Sequence, residues 1–175
     1  GLYLMVRQSE LITIKVKDIN LVAKEIDVFI RKTKDYDVMP ISPELHKELT
    51  DWFATYAAEQ GPLDPDWYAF PAIKTVGFHV WELNPTAKIA KSEDLVRRAL
   101  KGIGWKEGWV GVHVLRRSSA RALFEENLLA GYDGAMREVQ TWLHHSSVTM
   151  TERYLGLELD REKRNRSEER RVGKE

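Results

Sequence analysis

Seven polar side chains are spaced as though they could act on one substrate. His113 and Arg116 are three residues apart where a helix should begin, which sets them on one helix face. His145 follows Trp142-Leu143-His144 at an expected helix end, and Tyr154 stands nine residues further on. Arg7 and Glu10 are again three apart, just ahead of an expected strand, and Lys32 falls in an expected turn. Two guanidinium groups can clamp a phosphate through paired, directional hydrogen bonds. Phosphoryl transfer spreads charge over the nonbridging oxygens, so fixed cations supply most of its catalysis. A tyrosine can be the covalent nucleophile, and a lysine or histidine can move the protons. The set suits attack of Tyr154 on a phosphodiester, with arginines neutralising the phosphate in place of a metal.

Taken singly, each residue has a plainer reading. Arg7 and Glu10 could be a surface pair worth about 0.2–0.5 kcal/mol. Lys32, between Arg31 and Lys34, could simply solvate a turn. His113 could cap a helix, and Tyr154 could be a core aromatic with its hydroxyl at the surface. His144 and His145 suggest a metal site only weakly, because adjacent residues point to different helix faces.

The elements that must carry these groups can be read from periodicity. Ile12, Ile14 and Val16 alternate with polar residues, which predicts a strand over 12–17. A turn at 18–20, a strand over 24–30, a polar turn at 32–37 and a strand over 38–41 complete a three-stranded antiparallel meander. Ser42-Pro43-Glu44 opens a helix with a good N-cap, and apolar residues recur at helical spacing to about residue 59. Residues 61–85 hold four of the six prolines and read as a long loop, with a short strand near 67–70. Helices are expected over 86–103, 113–130, 135–144 and 148–166, broken by a loop at 104–112 and by Gly131 and Gly134. The fold class is α+β: mainly helical, with a small three-stranded antiparallel sheet near the N-terminus.

The 175 residues suit one domain and, at 43% hydrophobic, can bury a substantial core. No cysteine is present, which excludes disulfides and cysteine-ligated metals. No apolar run reaches the roughly 18 residues of a membrane span. Net charge is zero but unevenly spread, with residues 61–120 the most basic third. There Lys88, Lys91, Arg97, Arg98, Lys101 and Lys106 face only Glu93, Asp94 and Glu107, which makes a solvated helix face or a phosphate-contacting one. Residues 161–175 are dense in charge and nearly devoid of apolar side chains, so they read as a disordered tail. Their last ten residues also resemble translated vector sequence.

Jointly, the motifs resemble the tyrosine recombinases, the phage-integrase family. Arg7-Gln-Ser-Glu10-Leu11 is similar to their first motif, and Lys32, eight residues before Pro40-Ile41, to their β-turn lysine. His113-Val-Leu-Arg116 matches their His-x-x-Arg motif, and Leu143-His-His145-Ser-Ser matches their Leu-Gly-His-Ser-Ser stretch with Tyr154 downstream. The resemblance implies a catalytic domain over 1–160, a fragment lacking the N-terminal DNA-binding domain, followed by the 161–175 tail. It implies that Tyr154 forms a 3′-phosphotyrosyl link, and that Arg7, Arg116 and His145 hold the nonbridging oxygens. Lys32 would protonate the leaving 5′-hydroxyl, His113 would assist proton transfer, and Glu10 would order the arginine side. Lys88, Lys91, Arg97, Arg98, Lys101 and Arg117 are the expected DNA contacts. No cofactor is implied. The partner is double-stranded DNA at attachment sites, bound as a tetramer by a protein that is monomeric in solution, cytoplasmic and free of membranes.

Three positions depart from the family pattern. Met5-Val6-Arg7 stands where Gly-Leu-Arg is usual, Arg117 where His is frequent, and His144 where Gly is usual. A positive φ at residue 144 would strain the histidine, though less than most side chains. The catalytic pocket is expected where the segments of Arg7, Lys32, Arg116 and Tyr154 converge, with a mobile final helix. Two other readings share much of this pattern: a DNA-binding but catalytically incompetent integrase fragment, and a type IB topoisomerase-like relaxing enzyme. An unrelated α/β interaction domain is the remaining alternative.

Overall fold

The computed structural model describes residues 4–77, 80–90, 92–105 and 112–157. Two compact units result, one spanning Tyr3–His113 and the other beginning at Val114.

In the first unit, a short helix α1 (Gln8–Leu11) leads into a 3-10 turn at Val16–Asp18 and the strands β1 (Ile19–Asn20), β2 (Glu25–Ile30) and β3 (Asp35–Pro40). The sheet is antiparallel in the order β1-β2-β3, with Ile26 opposite both Ile19 and Met39, and Phe29 opposite Tyr36. Ile26, Val28 and Ile30 are buried while Glu25, Asp27 and Phe29 between them are exposed, the period-two pattern of a half-buried strand. The expected meander is therefore present, but its first strand is displaced.

Residues 12–17 are not a strand. Thr13 Oγ1 donates to the Glu10 carbonyl at 2.7 Å, and the Asp18 carboxylate accepts from the Lys15 N–H at 2.8 Å. Such local bonds offer the backbone an alternative to a ladder. Ile14, Val16 and Lys17 instead exchange backbone bonds with Pro65, Trp67 and Ala69. The expected turn at 18–20 moves to 21–24, because Asn20 Oδ1 accepts from the N–H groups of Val22 and Ala23. The β2–β3 turn is shorter than expected, covering residues 31–34, with Lys34 at φ 58°.

Helix α2 (Pro43–Gln60) runs as its caps predict: Ser42 Oγ accepts from the Leu45 N–H at 3.2 Å, and Gly61 at φ 81° ends it. Its inner face carries Leu49 and Tyr56, both buried. Trp52 stacks on Tyr56 and donates through Nε1 to the Ala69 carbonyl at 2.8 Å. The Tyr56 hydroxyl donates to the Tyr68 carbonyl at 3.3 Å, and burial pushes its phenol above the usual range. Asp66, hydrogen-bonded by Lys17 and Lys15, is held below the usual carboxylate range, and Lys17 is raised by the same contact. These bonds tie the 64–69 stretch to α2 on one side and to residues 14–17 on the other.

The loop expected over 61–85 contains a hairpin, β4 (Pro71–Gly77) with β5 (Val80–Lys88), so the helix expected from residue 86 starts later, as α3 (Ser92–Gly102). Only Pro71 of the described hairpin residues is buried, and Ile73, Val80 and Trp81 are largely exposed. With no buried face there is no hydrophobic alternation to read. The Gln8 amide donates to Ser92 Oγ, joining α1 to the start of α3. An apolar cavity of about 430 Å3 lies among Ile14, Ile26, Leu49, Trp52, Leu95 and Val96. Of the loop expected at 104–112, residues 106–111 lie outside the described residues.

The second unit is helical: α4 (Val112–Leu129), whose first two residues belong to the first unit, α5 (Ala135–Trp142) and α6 (Val148–Leu155). Ala120, Ala135, Val139, Leu143 and Leu155 are buried, together with the hydroxyl-bearing Thr151. Helix α6 does not run on to residue 166 as one piece. Gly156 at φ 77° ends it, a left-handed cap that glycine adopts without strain, and residues 158–175 lie outside the described residues.

Because the sheet has one buried face, substitutions along β2 should alternate in cost. Ile30→Ala should destabilise the protein by about 2–5 kcal/mol, and Glu25→Ala should stay within about 0.5 kcal/mol of wild type. Urea midpoints of the two variants check this; equal shifts would contradict the register.

Candidate active site

The first unit brings Arg7 and Glu10 together at α1. The Glu10 side chain is fully buried and Arg7 is partly exposed, their Nη1 and Oε1 atoms 3.1 Å apart. The other carboxylate oxygen of Glu10 accepts the Arg7 backbone N–H at 2.8 Å. Glu10 thus caps the start of its own helix and fixes the guanidinium above it, a role for a buried carboxylate that leaves both oxygens occupied. Lys32 is exposed on the four-residue turn between β2 and β3.

The second unit builds its cluster around the end of α5. The His144 N–H donates to the Thr141 carbonyl at 2.9 Å, and the His145 N–H donates to Gln140 at 3.1 Å. This is a Schellman cap, which requires a left-handed residue at position 144. His144 supplies it at φ 50°, so the strain expected at this position is present. The Gln140 amide returns a bond to the His145 carbonyl at 3.0 Å, fixing the histidine from both backbone sides.

Arg116, only 2% exposed on α4, donates through Nη2 to the Leu143 carbonyl, two residues before His145. His145 is half-buried, with Nδ1 3.1 Å from Thr151 Oγ1 and its ring edge-on to Tyr154 at 5.3 Å and 84°. Tyr154 stands on α6, whose N-terminus Ser147 caps by accepting from the Met150 N–H. Arg116, His145 and Tyr154 therefore form a continuous cluster through the Leu143–His145 backbone. His113 is exposed on the first turn of α4, while Arg116 is buried one turn later.

Among the expected DNA contacts, Lys88, Arg97, Arg98 and Lys101 are exposed on the end of β5 and on α3, with Arg97 paired to Asp94 at 3.1 Å. Lys91 and Lys106 lie outside the described residues. The Arg117 guanidinium lies over the α6 cap, so near Gly156 that a Cβ there would come within 2.8 Å of Nη2. A cation at that end complements the helix dipole.

Residues 2–160 match the model of the Phage integrase family. The chain belongs to this family. Among solved structures, the fold is similar to that of XerA recombinase, at TM-score 0.66 and 24% identity over 87% of this chain and 48% of that one. It is similar to XerH site-specific recombinase bound to palindromic difH substrate, in a post-cleavage complex, at TM-score 0.65 and 17% identity, covering 95% and 42%. The Tn1549 transposon integrase in complex with circular intermediate DNA gives 0.57 and 16%, covering 87% and 50%. The chain spans about half the length of these proteins. No curated protein matches it.

Three residues outside the motifs of this family member hold the cluster together. Thr151 touches His145, Gln140 binds the His145 backbone, and Arg121 donates to the Leu155 carbonyl at the end of α6 at 3.3 Å. Of these only Thr151 left a trace in the sequence: a hydroxyl three residues before Tyr154, on the same face of a short helix.

The two left-handed caps should respond oppositely to substitution. Gly156→Ala should cost about 1 kcal/mol or more, because a Cβ is strained at positive φ. His144→Gly should gain about 0.5–1 kcal/mol, relief of that strain exceeding the entropy that glycine adds to the unfolded chain. Thermal melts of both variants check this, and loss of stability in His144→Gly would contradict the cap.

Proposed function

We propose that this protein carries out site-specific DNA recombination, integrating or excising a phage or mobile element, by cleaving and rejoining strands through a 3′-phosphotyrosyl intermediate. The observation that carries the reading is the packing of the His145 ring edge-on against Tyr154, with the buried Arg116 bonded to the Leu143 carbonyl two residues before that histidine. Family membership supports it, as does the likeness to recombinases and an integrase solved with DNA.

The chemistry follows from the residue types. The Tyr154 hydroxyl attacks the scissile phosphorus and forms a P–O bond, while the bond to the 5′ oxygen breaks. The phenolic proton passes to His113, and Lys32 gives a proton to the departing 5′-hydroxyl. Arg7, Arg116 and His145 donate to the nonbridging oxygens, where charge accumulates, and Glu10 keeps Arg7 in place. Rejoining is the same path reversed, with the 5′-hydroxyl of another strand attacking the phosphotyrosyl link. The bond energy is conserved in that ester, so the exchange runs without an external energy source.

Double-stranded DNA at attachment sites is the partner, bound by Lys88, Lys91, Arg97, Arg98, Lys101 and Arg117 through its phosphates. The assembled form is a tetramer on DNA and the free protein a monomer, acting in the cytoplasm. Among the described residues, no helix is long and apolar enough to cross a membrane.

A covalent trap tests the reaction. Nicked duplexes that lose a short fragment on cleavage should give a denaturant-stable protein–DNA band. Tyr154→Phe should abolish the band while leaving noncovalent binding intact, and Arg116→Ala should reduce its rate by about 100-fold or more. Persistence of the band in Tyr154→Phe would overturn the nucleophile assignment. Binding should weaken linearly with log salt, and Arg98→Ala and Lys101→Ala should each lower that slope by about 1 if they contact phosphates. Unchanged slopes would remove α3 from the DNA interface.

A further inference from the structure

Thr151 is a fully buried polar residue on α6, four residues after the Ser147 cap and three before Tyr154. Its hydroxyl has one proton and two acceptors within reach. One is the Ser147 carbonyl at 3.5 Å, and the other is His145 Nδ1 at 3.1 Å, which accepts in the tautomer that leaves it unprotonated. The first distance is at the outer edge of a hydrogen bond and the second well inside it. A buried hydroxyl gives its proton to the better acceptor, because leaving it unspent is costly.

The choice has a chemical consequence. The two imidazole nitrogens are distinct, and the hydrogen bond made by one decides the protonation of the other. If Nδ1 accepts from Thr151, the neutral ring carries its proton on Nε2. A neutral His145 in that form is a hydrogen-bond donor, whereas the other tautomer would meet an anionic phosphate with a lone pair. The backbone of His145 is already fixed by its bonds to Gln140, so ring rotation and proton position are what remain to be set.

We propose that Thr151 is a positioning residue: its hydroxyl donates to His145 Nδ1 and holds the imidazole as the Nε2–H tautomer, a donor aimed at a nonbridging phosphate oxygen. This rests on the recombinase reading for the identity of the substrate. The same contact also sets α6. Thr151 and Tyr154 are neighbours on one face of the helix, and both meet the His145 ring, so the imidazole fixes the rotation of the helix that carries the nucleophile.

The test uses the full chain labelled with 15N in histidine, with Thr151→Val and Thr151→Ser beside it, and His145→Gln to assign the signals. At a pH where the ring is neutral, His145 Nδ1 should read as an unprotonated nitrogen that accepts a hydrogen bond. In Thr151→Val it should move toward the value of an unbonded acceptor, and in Thr151→Ser it should return. In the covalent trap, Thr151→Val should slow adduct formation by about tenfold at unchanged DNA binding, and Thr151→Ser should restore the rate.

A protonated Nδ1 in the wild-type chain would overturn the proposal, even if Thr151→Val failed to fold. An Nδ1 signal or adduct rate untouched by Thr151→Val would overturn it too, as would a Thr151→Ser variant that restores neither. If the wild-type chain formed no adduct on any duplex, the recombinase reading would fall, while the Nδ1 signal would still decide where the proton lies.

Discussion

A guanidinium taken out of water must be held by acceptors, and in the second unit that requirement organises everything near Tyr154. Arg116 is 2% exposed and bonds the Leu143 carbonyl at the end of α5. Burying an ion without partners costs several kcal/mol, so the carbonyl cannot be left to chance. The last carbonyls of any helix lack intrahelical partners, which makes a helix C-terminus the natural acceptor for a buried cation. Once Leu143 is turned toward Arg116, the chain must reverse within one residue, and His144 does so at φ 50°. His145 then meets α6 at Thr151 and Tyr154. Cation, imidazole and phenol are thus linked through one helix cap rather than placed independently.

The first unit meets a similar problem with the opposite charge. Glu10 is the buried ion there, and its two oxygens bind the Arg7 guanidinium and the Arg7 backbone N–H. A four-residue helix has little stability of its own. Its carboxylate closes the first turn, and Thr13 closes the last by donating to the Glu10 carbonyl. These local bonds orient Arg7, and they are also what prevents residues 12–17 from extending into a strand.

Legibility in the sequence followed burial. Strand β2, helix α2 and helices α4 and α5 were readable because each buries one face and so repeats at a period of two or of 3.6. The β4–β5 hairpin was not, since Ile73, Val80 and Trp81 face solvent and carry no alternation. The false strand over 12–17 had the right alternation but the wrong partners. Ile14 is buried, yet its backbone pairs with Ala69 across a distant stretch that no local pattern announces. In the site, the residues proposed to touch a phosphate carry a signal of type and spacing. Gln140 left no such signal, because it acts on the backbone of another residue, and Thr151 left only its place three residues before Tyr154.

Met5 and His144 both hold the backbone in the left-handed region. Each stands where the family pattern has glycine, and each takes φ 50°, a conformation glycine enters freely and other residues enter at a cost. Had the chain been free to relax, a side chain at either position would have pulled the backbone toward negative φ. It does not. At His144 the reason is visible, since two backbone bonds, the Gln140 amide bond and the Arg116–Leu143 contact all need the left-handed turn. A strain of order 1–3 kcal/mol persists only where the surroundings over-determine the conformation. The requirement at position 144 is therefore a backbone direction rather than a glycine, and it is imposed by the buried cation whose acceptor that direction supplies.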